Sequence, residues 1–351
     1  MTAKLTLPRT CAALLSAAMV FVLSACGSQE SPTAEASTPA GSADPLVIYS
    51  GRNENLVAGI LGELEKAVGT KVEVRYGNTA ELAAQLLEEG PRTEADLFFS
   101  QDAGALGALG KADLLSPIDS SITDQVLPEY VDKNGLWAAT TARARVIVYN
   151  PEVAPEVEKF TSTDQILDPK YKGKVGVAPS NASFQAFVTA LRLQRGEEAA
   201  KDFLVKLKAH AKVYDGNAEI LAATNAGEVS MGLVNHYYLH QLIKEQGAAK
   251  VKAKNKFLAN PQDAGSLVNI AGVGVIKNSP QADAANRAVT FLLQPSSQEY
   301  MVKETSEYPV VADVAGPAGA TPVSAFQGAA VDLNQLEDLE PTLALIDEVF
   351  N

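Results

Sequence analysis

Adjacent tyrosines at Tyr237 and Tyr238 are the residues of this chain best suited to an uncommon chemistry. A free phenol loses its proton only at about pH 10, so it ionises at neutral pH only beside a strong positive charge. A trivalent hard cation supplies that charge, and hard cations take oxygen ligands. Two phenolates plus an anion held at a helix start would suit ferric iron. Simple packing, with both hydroxyls satisfied at the surface, is the other reading of the pair. The pair closes the turn Asn235-His236-Tyr237-Tyr238. Three further turns are as polar: Ser50-Gly51-Arg52-Asn53-Glu54, Ser100-Gln101-Asp102 and Pro179-Ser180-Asn181-Ala182-Ser183. Each precedes a helical pattern, so its backbone N–H groups can hold an anion. Capping accounts for any one turn alone; together they point to a binding site.

These turns need elements to hold them. Leu46-Val47-Ile48-Tyr49 reads as a short buried strand, and Leu56, Val57, Ile60, Leu61 and Leu64 recur at helical spacing. Val72, Val74 and Tyr76 alternate with charged residues as a strand does. Thr79 is the expected cap of a helix carrying Leu82, Leu86 and Leu87. Leu97-Phe98-Phe99, Val146 to Tyr149, Val175 to Val177 and Met231 to Val234 are further strands, with a helix from Ala103 to Leu109 and more helical patterns between. This alternation predicts a mostly parallel sheet covered by helices. Ligands of such sheets bind where strands end and helices begin, which is where the polar turns lie.

The N-terminus has its own chemistry. Lys4 and Arg9 precede an apolar run from Cys11 to Leu23, too short to span a bilayer comfortably, and Leu23-Ser24-Ala25-Cys26 follows. The tetrapeptide resembles the lipobox of bacterial lipoproteins. Residues 1–25 are then a signal peptide, Cys26 is the lipidated first mature residue, and the protein sits outside the cytoplasmic membrane on a lipid anchor. Residues 26–44 lack aromatic and large aliphatic side chains and read as a disordered tether. The formal charge is −13, and loss of Lys4 and Arg9 makes the mature chain still more acidic. That balance argues against nucleic acid as a partner. Cys11 and Cys26 are the only cysteines, so the mature body has no disulfide and no thiolate chemistry.

Beyond these local readings, the body resembles the ferric-ion-binding proteins of bacterial ABC importers, within the type II periplasmic binding proteins. The likeness runs from Leu46 to about Val311. It rests on Tyr49-Ser50-Gly51-Arg52-Asn53-Glu54, Gln85-Leu86-Leu87-Glu88-Glu89-Gly90, Ala95-Asp96-Leu97-Phe98-Phe99, Ala144-Arg145-Val146-Ile147-Val148-Tyr149-Asn150 and Asn235-His236-Tyr237-Tyr238, in that order. The resemblance implies an α/β type II periplasmic-binding-protein fold of two lobes joined by crossover strands, with a ligand cleft between them. One lobe would comprise residues 45–142 plus about 267–310, the other 143–266 plus about 311–351. It implies Tyr237 and Tyr238 as iron ligands, and a synergistic anion, carbonate or phosphate, on Asn181, Ala182 and Ser183, assisted by Asn217 and Asn235. The chain also departs from the pattern. Asn53 stands where many members have histidine, Gln101 where many have glutamate, and Phe184 where some have a third tyrosine. Asp102 is a candidate replacement carboxylate; more anion or water on the metal is the other way to complete the site.

Arg143 and Arg145 flank a strand start and are read either as partners of the anion or as surface ion pairs. His236 is read as packing or as a neighbour of the metal ligands, and His210 and His240 as solvated. Trp137 is the only tryptophan, which disfavours a sugar ligand. No G-x-S-x-G, H-E-x-x-H or Walker A sequence occurs, and no enzymatic activity is expected. The resemblance implies a monomeric binding protein that delivers ferric iron to an ABC permease and its ATPase. The alternative is the same fold holding a small anion such as an organophosphonate, with the tyrosines donating hydrogen bonds; a third possibility is a module that feeds a sensor kinase.

Overall fold

Five consecutive buried residues, Leu46–Ser50, form strand β1, and an apolar run without alternation demands cover on both faces. The computed structural model describes residues 44–322 and 328–351; the leader, nearly all of the tether and Cys26 lie outside the described residues. After β1 come α1 (Glu54–Val68), β2 (Val72–Tyr76), α2 (Thr79–Glu89), β3 (Leu97–Ser100), α3 (Ala103–Lys111), β4 (Leu115–Ser116) and the short α4 (Ser120–Thr123). Next are β5 (Ala138–Tyr149), β6 (Val175–Val177), α5 (Ala182–Arg195), α6 (Glu197–His210), β7 (Ala211–Val213) and α7 (Asn217–Ala226). Then follow β8 (Met231–Asn235), α8 (Tyr237–Gln246), β9 (Lys254–Lys256), β10 (Val268–Ile276), α9 (Ala282–Leu293), α10 (Pro295–Thr305) and α11 (Leu339–Phe350).

Local rules set the helix ends. Helix α1 buries Val57, Ile60, Leu61, Leu64 and Val68 along one face, takes its cap from Asn53 and stops at Gly69, whose φ of 72° suits a residue without a Cβ. The cap of α2 is Asn78, not Thr79: the Asn78 side chain accepts from the Ala80 N–H. Thr79 is the first helical residue, and its hydroxyl donates to the Gly51 carbonyl at 3.0 Å, tying α2 to the turn after β1.

The strands lie in the order β2-β1-β3-β10-β5-β8-β6-β7, with β4 beside β10 and β9 beside β5. Strand β1 is parallel to β2 and β3, and β6 is parallel to β7 and β8. Strands β5 and β10 are antiparallel to every neighbour. The sheet is therefore parallel in its flanks and antiparallel at its centre, a correction to the mostly parallel sheet that βα alternation predicts. The central strands enter from irregular connections rather than from crossover helices, so no alternation announces them.

Strand β5 belongs to both flanks. Val268–Val273 of β10 pair with Ala138–Ala144, and β8 pairs with Arg145–Tyr149. All of β5 is buried, yet only its second half is visible in sequence, because Ala138–Ala144 contains no apolar run. The C-terminal segment also touches both flanks. The turn Leu333–Glu337 packs on α3, where a Cβ on Gly104 would meet the Leu336 carbonyl oxygen at 2.5 Å. Helix α11 lies on α5, with Phe350 edge-on to Phe184 at 6.0 Å and the Thr342 and Thr189 hydroxyls 2.8 Å apart. Among the described residues, no helix is long and apolar enough to cross a membrane.

Close packing of α7 on β8 holds the strand that leads to the tyrosines. A Cβ on Gly232 would sit 2.2 Å from Ile220 Cγ2 and 3.1 Å from the Gly176 carbonyl oxygen. Gly232→Ala is expected to destabilise the protein by about 1–3 kcal/mol. Thermal denaturation measures this; an unchanged midpoint would refute the close contact.

Candidate metal centre

Every residue of β8 is buried, and the strand carries the chain directly into Asn235. Helix α8 begins at Tyr237 with no side chain capping its N–H groups. Tyr237 is 1% exposed, and its ring stacks on that of Tyr238 with centroids 4.4 Å apart and planes inclined by 26°. Burial pushes the Tyr238 phenol well above its ordinary pKa, and the neighbouring Tyr237 adds to the shift. A hydrogen bond from Asn217 and the charge of Arg52 pull the other way. The resting pair is protonated at Tyr238, and only a strong cation displaces that proton.

Three buried guanidinium groups surround the pair. Arg52, from the turn after β1, donates to both oxygens of Glu307 at 3.0 and 2.6 Å and to Gln101 Oε1 at 2.9 Å. Burial works against the Arg52 charge, but Glu307 holds it above its ordinary value. Burial likewise opposes the Glu307 carboxylate, yet Arg52, then Arg143 and the Thr141 hydroxyl at 2.8 Å, hold it low. Arg143 donates to the Gln101 carbonyl, and Arg145 donates to the Leu233 carbonyl at 3.0 Å. Burial lowers both, Arg145 to about 9, so Arg145 is still a cation at neutral pH. Arg52 Nε, and both Nε and Nη1 of Arg143 and Arg145, are buried with no protein partner. Tyr237 and Tyr238 both act electrostatically on Arg145, and Tyr237 on Arg143, and unpartnered guanidinium donors suit an anion.

The anion turn assembles beside the pair. Asn181 caps α5 by accepting from the Ser183 N–H at 3.0 Å, and its oxygen also accepts from Asn217 Nδ2 at 3.4 Å. Ala182 is the first residue of α5. Asn235 Nδ2 donates to Ser183 Oγ at 2.9 Å. Asn181, Ser183, Asn217 and Asn235 thus share one region, reached from β6, α5, α7 and β8.

The remaining metal candidates are placed differently. Asn53 is exposed and caps α1 through its oxygen, 3.0 Å from the Asn55 N–H. Asp102 is buried and caps α3 through Oδ1, 3.0 Å from the Ala105 N–H. Burial raises the Asp102 pKa, while the Ala105 N–H and then Arg143 oppose that rise. Gln101 lies between Arg52 and Arg143, accepting from both. Glu307 has no signal in the sequence, because its partner Arg52 lies 255 positions away; Arg52 stood inside a recognised turn, and only its burial marks it out. His236 is fully buried and held neutral, burial pushing its pKa down to about 3. His240 is partly buried rather than solvated, and burial lowers it too. Among the described residues, no group of three or more His, Cys, Asp or Glu side chains could hold a metal. Phenolic oxygen is what this site offers a cation.

Residues 93–323 match the family of bacterial extracellular solute-binding proteins. The chain belongs to that family. This solute-binding protein is 30% identical over 307 residues to the major ferric iron-binding protein of Neisseria meningitidis, covering 86% of this chain and 92% of the relative. It is 32% identical over 299 residues to the Fe(3+)-binding periplasmic protein of Serratia marcescens, covering 85% and 88%. The structure of iron-bound HitA from Pseudomonas aeruginosa aligns with a TM-score of 0.82 at 30% identity, covering 87% of this chain and 99% of that one. The fold is the two-lobed type II periplasmic-binding fold that the sequence motifs implied.

A phenol with a raised folded-state pKa binds its proton more tightly in the folded than in the unfolded chain. Its stabilising effect is whole below the ordinary value of 10.0 and is lost as pH climbs toward the folded value. Thermal midpoints of the wild type are therefore expected to fall more steeply above pH 10.0 than those of Tyr238→Phe. Parallel curves would show that Tyr238 is not held protonated.

Proposed function

We propose that this solute-binding protein captures ferric iron outside the cytoplasm, with a small synergistic anion, and delivers it to an ABC permease and its ATPase. The observation that carries the proposal is the stacked Tyr237-Tyr238 pair at an uncapped helix start within a buried cationic region. The relatives named for ferric iron support it. Binding replaces the two phenolic protons by the metal and releases them to solvent. Two phenolates leave a trivalent ion with one positive charge uncompensated. Asn53 and Asp102 are engaged as helix caps and Gln101 by two arginines, so an anion, carbonate or phosphate, completes the site. Asn181, Ala182, Ser183, Asn217 and Asn235 would receive it, with the free donors of Arg143 and Arg145 facing it.

The lobes divide at about 45–142 with 267–310 and 143–266 with 311–351, a boundary supported by the change of β5 partners between Ala144 and Arg145. Closure by hinge bending would enclose the ion. Lipidation of Cys26 would keep the monomer at the membrane surface, with residues 26–44 as its tether.

Ferric phenolates absorb visible light, so the iron-loaded protein is expected to be red to purple. Tyr237→Phe and Tyr238→Phe should each weaken that colour, one phenolate remaining, and weaken binding by orders of magnitude, with thermal midpoints near the wild type. A colourless wild type without iron by elemental analysis would sink the proposal and favour an organophosphonate or similar anion as ligand.

The anion has its own test. Iron affinity is expected to fall steeply in carbonate- and phosphate-depleted buffer, and Asp102→Asn to change it far less. Full wild-type affinity in depleted buffer, abolished in Asp102→Asn, would make Asp102 a direct ligand instead.

A further inference from the structure

His236 immediately precedes the tyrosine pair, and all of its polar atoms are spent on other parts of the chain. Its N–H donates to the Ala144 carbonyl at 3.0 Å, and its ring Nδ1 accepts from the Ala144 N–H at 3.3 Å. Ring Nε2 lies 3.1 Å from the Ser306 carbonyl oxygen, which only a donor can satisfy. The His236 carbonyl accepts from Asn255 Nδ2 at 2.8 Å. The ring stacks on Tyr308 with centroids 4.4 Å apart and planes 11° from parallel, and meets Tyr237 edge-on at 5.9 Å. One neutral tautomer, with the proton on Nε2, satisfies every contact.

The partners are not scattered. Ala144 is the last β5 residue that pairs with β10, and Arg145 is the first that pairs with β8. Tyr308 bridges to Ala142 of the same strand, and Ser306, two residues earlier, adopts a left-handed φ of 59°. Strand β5 passes between the flanks with the Tyr308 segment paired beside it, and the His236 ring bonds to both. Helix α8 follows it onto the same segment, with Gln241 donating to the Thr305 carbonyl at 3.3 Å and Lys244 pairing with Glu304 at 3.1 Å.

We infer that His236 is a positioning residue that pins the Tyr237-Tyr238 pair to β5 and to the Ser306–Tyr308 segment beside it. The inference rests on the ferric site proposed above. His236 acts through Tyr237, which its ring meets edge-on. Groups that orient the ligands of a metal are worth about 10- to 100-fold in affinity.

The test uses the full-length protein loaded with ferric iron in carbonate buffer, followed by the visible phenolate band and by chelator-driven release. His236→Phe keeps an aromatic ring and loses both ring hydrogen bonds. It is expected to weaken affinity by about 10- to 100-fold and to speed release. Tyr308→Leu, which removes the stack and the hydroxyl's hydrogen bond to the Thr321 carbonyl but leaves both His236 ring hydrogen bonds, should speed release in the same sense and guards against a His236→Phe variant that fails to fold. A double-mutant cycle separates positioning from bulk stability. In a Tyr237→Phe background, His236→Phe should lose most of its effect on residual affinity. Wild-type affinity and release in both His236→Phe and Tyr308→Leu, or strict additivity in the cycle, would overturn the inference while leaving the ferric site standing. A wild type that takes up no iron would defeat both together.

Discussion

Three guanidinium groups in the interior, Arg52, Arg143 and Arg145, are the constraint around which this molecule is arranged. Moving an ion from water into protein costs several kcal/mol even after relaxation, so each buried cation needs compensation. Glu307 compensates Arg52 through two short hydrogen bonds and is itself held by Thr141. Asp102 lies near Arg143, but burial raises its pKa and disfavours its charge. Among the described residues, Arg143 and Arg145 have no carboxylate ion pair, and five buried N–H-bearing atoms of the three arginines have no protein hydrogen-bond partner. Burial, and not this charge, keeps Tyr238 protonated, with Arg52 pulling the other way.

The turns that looked like a binding site in sequence divide into two kinds in the fold. Those after β1 and β3 spend Asn53 and Asp102 on capping α1 and α3, and contribute to the site through Arg52 and Gln101. Those after β6 and β8 bring their asparagines, Ser183 and the tyrosines together. A cap and a ligand use the same residue types at the same place, because both exploit unpaired N–H groups at a helix start. Sequence alone separates them poorly.

What was legible follows from range. Strands β1, β3 and β8 announce themselves by apolar runs, and the Tyr237-Tyr238 pair by its place at a strand end. The first half of β5 reads Ala-Ala-Thr-Thr-Ala-Arg-Ala and carries no such mark, although it is buried throughout. Its identity comes from β10, far along the chain. Glu307 is the extreme case: a single acidic residue with no local pattern becomes the counter-ion of Arg52 only after the fold brings them together. Leucine spacing cannot predict a partner of that kind.

The shared strand has a consequence for how the molecule comes into being. Neither half of β5 can pair until much later segments arrive: β8 about 90 residues on and β10 about 130 residues on. Closing such long loops is entropically expensive, and folds built on distant pairings form slowly. Arg143 and Arg145 therefore stay solvated, and the tyrosine pair unformed, until nearly the whole chain is available. A nascent chain with these partners delayed presents no finished tyrosine site, and acquires one only as its last central strand docks.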